Sequence, residues 1–352
     1  MHIPDGYLSP STCALTFAAA APFWYVASRK VKKELHTRAV PLMALVSAFS
    51  FVVMMFNLPL PGGTTGHAVG LGIAAIVLGP WAAVLAISVA LAIQAVFFGD
   101  GGITAIGANC FNMAVIGPFV AYGVYRLPSG SSDVTSMRRV IAAAAAGYIG
   151  MNAAALAAAI EFGVQPLLFH DATGAPLYAP YPLSIAVPAM MIGHLTIAGL
   201  AEAFATAGLV AILQRQEPEL LQRSAATAAT ASWWTTRRLW AGLAAIMLLS
   251  PLGLLAAGTA WGEWSAEDFA NPAARHEIAA ASGNVHPPDG VPQGLEKLSS
   301  LWSAPIPDYA PAFLQHEGLG YILSAMIGTG LIILGFLAVG VLRARLSAAP
   351  RG

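Results

Sequence analysis

The first two residues of the sequence carry three nitrogen atoms that can chelate one metal ion. A large second residue hinders removal of the initiator methionine, so we expect Met1 to keep a free α-amine in front of His2. That amine, the amide nitrogen of His2 and its imidazole would close a five-membered and a six-membered chelate ring. Ni(II) and Cu(II) favour such flat, nitrogen-rich arrangements. The pair therefore predicts a metal site that needs a fourth donor from elsewhere on the same face of the protein.

His67 is the candidate for that fourth donor. It lies in the segment LPLPGGTTGHAVGLG, whose prolines and glycines predict a tight, non-helical turn that can fold back toward Met1. A histidine at this point can also cap the helix that follows, and the sequence leaves both interpretations open. His170, His276 and His316 are interpreted as ordinary solvated loop residues.

The composition places these residues in a membrane protein. Of the 352 residues, 57% are hydrophobic and only 10% are charged, and the mean hydropathy is +0.69. Such a chain cannot hide its apolar surface in one soluble core, which argues against a soluble enzyme, a nucleic-acid binder or a disordered scaffold. The two cysteines, Cys13 and Cys110, lie in apolar stretches and offer neither a disulfide framework nor a cysteine metal cluster. We expect an all-α integral membrane protein.

Nine apolar segments are candidates for crossing about 30 Å of hydrocarbon as helices. They lie at 11–28, 39–57, 66–79, 81–98, 103–125, 139–163, 183–213, 239–261 and 319–342. The third segment is short and begins in a glycine-rich loop, so we expect it to be tilted, re-entrant or buried in protein.

The lysines and arginines indicate the orientation of these spans. With nine spans and the N-terminus outside, the cytoplasmic segments hold five, three, four and three basic residues, which is all 17 except Arg275 and Lys297. The C-terminus is then cytoplasmic, and the opening MHIPDGYLSP, which lacks the features of a signal peptide, lies outside. The outer face carries the histidines at positions 2, 67, 170, 276, 286 and 316, while His36 is cytoplasmic and His194 lies within the seventh span.

A polar stretch divides the chain into two membrane-embedded parts. Residues 214–238 predict a cytoplasmic linker between a seven-span body, residues 1–213, and a two-span part, residues 239–352. The second part carries an outer loop at 262–318 that is rich in proline, glycine, tryptophan and acidic residues.

Four segments of the body resemble one known family. MHIPDGYLSP, PGGTTGHAVG at 61–70, GDGGITAIGANCFNMAVIGP at 99–118 and GHLTIAGLAEA at 193–203 are similar to the cobalt/nickel substrate-binding membrane subunits of energy-coupling-factor (ECF) transporters, the CbiM/NikM family. The resemblance covers about residues 1–213. It implies that Met1, His2 and His67 hold the divalent cation, in agreement with the chelate argument. It also implies a transmembrane coupling (T) subunit and two ATPase subunits as partners in the inner membrane, and the chain itself has no G-x-x-x-x-G-K-[ST] motif.

The second part resembles the two-span N component that is fused to some nickel-transporting members, whose outer loop carries a PDGLE-like motif. Here the segment reads HPPDGVPQGLEKL, and the motif matches only across the interruption at 291–294. The choice between nickel and cobalt therefore stays open. We expect the outer loop to help load the metal or insert the N-terminal segment, with His286 and Asp289 as its contact point.

Three polar residues near the fifth span are candidates for supporting the site. The resemblance suggests that Asp100, Asn109 and Asn112 hydrogen-bond metal-bound imidazoles. Helix capping by Asp100 and hydrogen bonds inside the bundle from the two asparagines explain them equally well. Within the seventh span, His194 and Glu202 share a helix face and could relay protons, contact the coupling subunit or form a structural pair.

The sequence thus predicts the substrate-capture subunit of an ATP-driven importer for Ni(II) or Co(II), embedded in the lipid bilayer, with no organic cofactor and no nucleic-acid partner. A cobalt importer that serves cobalamin synthesis is the nearest alternative. An intramembrane metallohydrolase is disfavoured because no H-E-x-x-H or G-x-S-x-G motif is present. An autonomous permease, which would need no ATPase, is the third alternative.

Overall fold

The computed structural model describes residues 1–34, 40–130, 132–221 and 236–348. His36 and most of the predicted linker at 214–238 lie outside these ranges. The elements follow in this order: α1 (Pro10–Glu34), α2 (Val40–Met54), β1 (Leu58–Leu60), β2 (Thr64–Gly66), α3 (Leu71–Leu78), α4 (Pro80–Ile93), α5 (Ile106–Asn109), α6 (Gly117–Ser129), α7 (Met137–Gly163), α8 (Gln165–Leu168), α9 (Leu183–Gly193), α10 (Gly199–Gln216), α11 (Arg237–Leu249), α12 (Ala266–Ala270), α13 (Pro272–Ala281), α14 (Gln293–Leu298) and α15 (Glu317–Ala348).

Six helical segments of the described chain are long and apolar enough to cross a membrane. They are Pro80–Phe98, Ile106–Ser129, Met137–Leu168, Leu183–Gln216, Arg237–Leu255 and Glu317–Val341. The chain is therefore a multi-pass membrane protein, as its composition predicts. The first three predicted spans also contain helix, as α1, α2 and α3, but they are not among these six.

The third predicted span is much shorter than a membrane crossing. Helix α3 has eight residues, a rise of about 12 Å at about 1.5 Å per residue. All eight are buried, so the expectation of a short, protein-buried helix is confirmed. The residues before it form an antiparallel hairpin instead, in which Leu58 pairs with Gly66 and Leu60 with Thr64. Gly62 and Gly63 turn this hairpin with positive φ angles of 86° and 78°, which glycine adopts without strain.

A buried carboxylate fixes the start of α3 and with it the loop that carries His67. Glu202 in α10 accepts the backbone N–H groups of Val69 and Gly70 at 2.8 Å each and that of Gly72 at 3.0 Å. These donors have no partner within the helix because they belong to its first turn. A carboxylate has only acceptor sites, and its negative charge also suits the positive end of the helix dipole.

Three long helices contain a π-helical turn, at Gln94–Phe98, Cys110–Ile116 and His194–Ala198. The first ends α4, the second joins α5 to α6, and the third joins α9 to α10. Such turns are rare and occur most often at functional sites. The first is followed directly by the glycine-rich segment 99–102, which approaches the N-terminus.

Small residues allow close packing inside the body. A Cβ atom on Gly147 of α7 would lie 2.8 Å from the Glu202 carbonyl oxygen of α10, and one on Gly150 would lie 2.8 Å from the Gly117 carbonyl oxygen of α6. The backbones approach too closely for any larger side chain there, which is how small residues support helix packing in membranes. The alanine- and glycine-rich segment 142–159 supplies both of these α7 positions.

The second part packs directly on the first. Helix α15 crosses α2 so closely that a Cβ atom on Gly328 would lie 2.1 Å from the Phe51 ring. The Tyr321 hydroxyl donates to the Met55 carbonyl oxygen at 2.9 Å, just beyond the end of α2. Segments of the loop 262–318 then extend over the N-terminal residues.

The Glu202 carboxylate provides a test of how the α3 start is held. We expect Glu202→Gln to lower the free energy of unfolding by about 1–3 kcal/mol, because the amide leaves one or more buried N–H groups unsatisfied. The thermal unfolding midpoint of the purified protein in detergent measures this loss. Glu219→Gln, which alters an exposed glutamate, is the control and should leave the midpoint unchanged. Equal midpoints for both variants would contradict the assigned role.

Candidate metal site

The N-terminal tripeptide is buried rather than free at the surface. Met1, His2 and Ile3 are 3%, 1% and 0% exposed. The Asn109 side chain bonds both backbone groups of Ile3. Its Oδ1 accepts the Ile3 N–H at 2.8 Å, and its Nδ2 donates to the Ile3 carbonyl oxygen at 3.1 Å. The Gly102 N–H also donates to that carbonyl at 2.8 Å. These bonds fix the backbone on which His2 is mounted.

Glycine is required where the segment 99–102 passes the N-terminal strand. A Cβ atom on Gly102 would lie 2.4 Å from the backbone nitrogen of Asp5. The Asp5 carboxylate in turn accepts the backbone N–H groups of Ile103 at 3.1 Å and Thr104 at 2.8 Å. Close backbone approach and these two bonds explain why the motif reads GDGGIT at this point.

The side chains of His2 and His67 meet in the space below the N-terminus. Their ring centroids are 5.0 Å apart, and the ring planes are inclined by 39°. His67 Nδ1 lies 3.1 Å from the Ala68 carbonyl oxygen. A carbonyl can only accept, so Nδ1 carries the proton and Nε2 keeps its lone pair for a metal. The structure thus brings together the two histidines that the sequence analysis pairs.

Burial keeps the His67 ring neutral. Desolvation, together with the nearby positive charges of His2 and the N-terminus, lowers the pKa of His67 to about 3. A metal ligand must offer a lone pair, and a protonated imidazole has none. At neutral pH His67 is thus in the form that binds a metal.

His2 has one engaged ring nitrogen and one without a partner. Its Nδ1 forms a short contact with Asp100 Oδ1, while its Nε2 is buried and has no hydrogen-bond partner among the described residues. Burying a polar atom unpaired is unfavourable. Burial alone would raise the pKa of Asp100, but the charge and the hydrogen bond of His2 hold that pKa below its ordinary value.

The Asp100 carboxylate is held by further groups, one of which belongs to the second part of the chain. The Tyr309 hydroxyl donates to Asp100 Oδ2 at 2.5 Å, and Gln94 Nε2 lies 3.3 Å from the same oxygen. Gln94 Nε2 also donates to the Tyr309 hydroxyl at 2.9 Å. The network joins the π-helical turn after α4 to the loop 262–318.

The N-terminal amine contacts the second part as well. Its nitrogen lies 3.1 Å from Glu263 Oε1, so the two form an ion pair when the amine is protonated. Gly6 passes the same loop closely, since a Cβ atom there would lie 2.6 Å from Leu295 Cα. The loop 262–318 therefore covers the N-terminal segment at two separate points.

The other predicted supporting residues have different partners from those expected. Asn109 holds the backbone of Ile3 rather than an imidazole, and Asn112 Nδ2 donates to Glu161 Oε2 at 2.7 Å within the helix bundle. His194 Nδ1 donates to the Met190 carbonyl oxygen at 2.8 Å within its own helix. His194 and Glu202 thus have different partners, and among the described residues no hydrogen bond joins them as the expected structural pair.

The outer-loop residues chosen from sequence lie at the surface. Asp289 Oδ1 is 3.4 Å from Arg275 Nη2, and the Asp289 side chain is fully exposed. His286 lines a shallow pocket together with Asp289 and residues of the 171–185 segment. Two other loop residues reach the site, Glu263 at the N-terminal amine and Tyr309 at Asp100, and neither was predicted. No sequence pattern separates Glu263 from the other acidic residues of its loop, because the contact joins positions 262 residues apart.

Side chains alone do not supply enough metal ligands for this site. In the described ranges no group of three His, Cys, Asp or Glu side chains is arranged to hold a metal ion. The cluster offers two imidazoles, and its other nitrogen donors are the terminal amine and a backbone amide. Four nitrogen ligands can therefore come from this cluster only because the N-terminus is folded against the two histidines.

The chain that carries these buried imidazoles and backbone nitrogens in a multi-helix membrane body matches two family models. The model of the CbiM family, described as the cobalt uptake substrate-specific transmembrane region, matches residues 2–220, and the model of the PDGLE domain matches residues 235–345. The chain belongs to the CbiM family and carries a PDGLE domain after it. It is thus a membrane protein of the nickel/cobalt transport family rather than an enzyme.

Relatives with both parts extend over nearly the whole chain. The fused nickel transport protein NikMN of Rhodobacter capsulatus is 66% identical over 335 residues, which is 95% of this chain and 96% of the relative. The probable fused nickel transport protein LarMN of Lactiplantibacillus plantarum is 44% identical over 336 residues, with the same coverage. A crystal structure of a truncated transition metal transporter is similar with a TM-score of 0.57 and 56% identity, covering 61% of this chain and 99% of that one.

The ion pair of the N-terminal amine can be tested by chemical labelling. We expect the Met1 amine to be acetylated severalfold faster in Glu263→Gln than in the unaltered protein. The variant removes the charge-assisted contact that holds the buried amine at 3.1 Å, so the amine reaches the reagent more often. Mass spectrometry of the N-terminal peptide measures the rate. Glu267→Gln, an exposed neighbour, is the control and should not change it; equal rates in both variants would show that Glu263 does not hold the amine.

Proposed function

We propose that this chain captures Ni(II) or Co(II) as its substrate, by means of the Met1 amine, the amide nitrogen and imidazole of His2, and the imidazole of His67. The observation that carries the proposal is the buried pair of His2 and His67 rings, whose centroids are 5.0 Å apart. Met1, which bears the terminal amine, is buried next to His2 in the N-terminal segment. Membership of a metal-uptake family supports the same function.

The chelate requires a change at His2. A six-membered ring with the His2 amide nitrogen uses Nδ1, which faces Asp100 in the structure. In the proposed bound state the imidazole turns about its Cβ–Cγ bond, a torsion with a broad preference, so that Nδ1 joins the amine and the amide nitrogen. His67 supplies the fourth nitrogen through Nε2.

Metal binding also changes the charges around the amine. The ammonium group must lose a proton before its nitrogen can bind a cation, and so must the His2 amide. The arriving ion replaces the lost positive charge beside the Glu263 carboxylate, so this carboxylate remains paired in charge in both states. Four in-plane nitrogens suit Ni(II) and disfavour the tetrahedral coordination typical of Zn(II).

The two family parts suggest a division of labour within the chain. Residues 1–213 form the metal-binding body, 214–238 the cytoplasmic linker and 239–352 the two-span part with its outer loop at 262–318. His286 and Asp289 lie on the exposed surface of that loop and are proposed as its first contact with the arriving ion. Glu263 and Tyr309 act deeper, against the N-terminal amine and against Asp100.

The wider assembly is part of the proposal. Nine passages of the chain through the membrane, the third made by the buried segment 66–79 that contains the short α3, with the N-terminus outside and the C-terminus in the cytoplasm, explain why the basic residues cluster on one side. An ECF coupling subunit and two ATPase subunits would drive transport from the outer to the cytoplasmic face. Metal uptake into vesicles that contain this chain alone, without any ATPase, would instead support an autonomous permease.

Nickel is the preferred substrate. The two relatives that align with 95% of the chain are both described as nickel transport proteins. The alternative of a cobalt importer for cobalamin synthesis draws on the cobalt-uptake description of the family model. Exposure of the purified protein to equal concentrations of both metals, followed by metal analysis and an absorption spectrum, decides between them.

Extending the chain by Gly-Ser before Met1 tests the chelate directly. The extension converts the amine into an amide and should weaken Ni(II) binding by more than about 100-fold, since losing a mere hydrogen-bond partner of a ligand already costs about 10–100-fold. Isothermal titration measures the affinity. The same two residues added after Gly352 serve as control. Unchanged affinity in a folded, N-terminally extended protein would exclude the amine as a ligand.

The histidine pair provides a second test. His67→Ala should weaken Ni(II) binding by at least about tenfold and remove the diamagnetic, square-planar absorption of the bound ion. His170→Ala is the matched control, because His170 is an exposed loop histidine that contacts only the carbonyl oxygen of Asp171 among the described residues. A tetrahedral, paramagnetic Ni(II) spectrum in the unaltered protein would indicate a different site.

A further inference from the structure

An apolar cavity lies between the two parts of the chain, and none of the proposed metal ligands lines it. It has a volume of about 370 Å³ and is lined by one stripe from each of α2, α3, α10 and α11. Leu45, Phe49, Leu213 and Leu243 represent the walls. On α2 and α10 the lining positions repeat every three or four residues, so each helix presents one apolar face to the same space.

The cavity has one polar end. Helix α10 ends at Gln216 and α11 begins at Arg237, so this end lies where two membrane helices reach the membrane surface. Gln216 and Arg238 line the cavity there. Arg238 is exposed, and within the described part of the chain no acidic side chain lies within ion-pair distance of it. Glu217 and Glu219, which follow α10, are not among the lining residues.

The depth of the cavity fits one leaflet of a bilayer. From Arg238 to Ile246 the helix rises about 12 Å, less than half of the about 30 Å thickness of the hydrocarbon core. A cation at the surface followed by an apolar channel toward the membrane centre matches the two ends of a phospholipid. Basic positions between membrane helices are known to select anionic headgroups.

We propose that this cavity binds one acyl chain of an anionic phospholipid, whose phosphate is paired with Arg238. The lipid then lies between α10 of the metal-binding body and α11 of the second part, and fills a space that neither part fills alone. It would act as a structural lipid at the junction of the two parts.

A filling variant tests the acyl-chain site. A Cβ atom on Gly242 would have no neighbour within 4 Å, so Gly242→Phe projects a ring into the cavity without a clash at its base. Gly335→Phe is the matched control, because Gly335 is an equally open helix position that does not line the cavity. Full-length proteins are reconstituted with phosphatidylglycerol, washed with detergent and examined by native mass spectrometry. We expect about one retained lipid in the control and a severalfold loss in Gly242→Phe; equal retention would overturn the proposal.

A charge variant tests the headgroup contact. Arg238→Gln should lower the preference for phosphatidylglycerol over phosphatidylcholine severalfold, whereas Arg237→Gln, one residue away and outside the cavity lining, should preserve it. The same loss in both variants would show that general surface charge, not this site, attracts the lipid.

A labelling experiment on the unaltered protein covers the case in which a variant fails to fold. Phosphatidylglycerol with a photoactivatable group midway along one acyl chain should attach to the segments 42–49 and 239–246. Attachment of the lipid spread evenly over all membrane helices would overturn the proposal. Loss of this attachment when a peptide or a second copy of the chain occupies the cavity in preference to the lipid would also overturn it.

Discussion

The burial of the N-terminal amine is the constraint on which the proposed metal site depends. A charged group removed from water is costly unless another charge faces it, and Glu263 supplies that charge at 3.1 Å. The strand behind the amine must also satisfy its own backbone, which Asn109 and Gly102 do through Ile3. Only with these partners present can the terminal nitrogens lie beside two histidines rather than in solvent.

The two imidazoles are positioned by independent parts of the fold. His2 lies in the N-terminal segment, which is held by the loop after α4. His67 follows the hairpin and precedes α3, whose first turn is fixed by Glu202 from α10. Because neither support involves the other histidine, a change in one loop alters the distance between the rings. The geometry of the pair therefore depends on the packing of the entire body.

Sequence reasoning grouped Met1, His2 and His67, which the structure brings together, but it did not find the groups that hold them in place. Apolar length predicted the six long membrane helices of the described chain. The eight-residue α3 departs from a full crossing because Gly79-Pro80 ends it and a hairpin precedes it. Glu263 and Tyr309 could not be predicted, since their roles arise from a loop that folds back across more than 200 residues. Periodicity and local propensity carry no information about such contacts.

The contact between Glu263 and the amino terminus joins two family parts within one polypeptide. Such a contact forms intramolecularly, so its occupancy does not depend on how much of the protein the membrane holds. A tether of ordinary length gives a local concentration in the millimolar range, far above what two separate membrane proteins reach by diffusion. Because the two parts are fused, the contact between Glu263 and the amine can form often even if it is weak and readily broken.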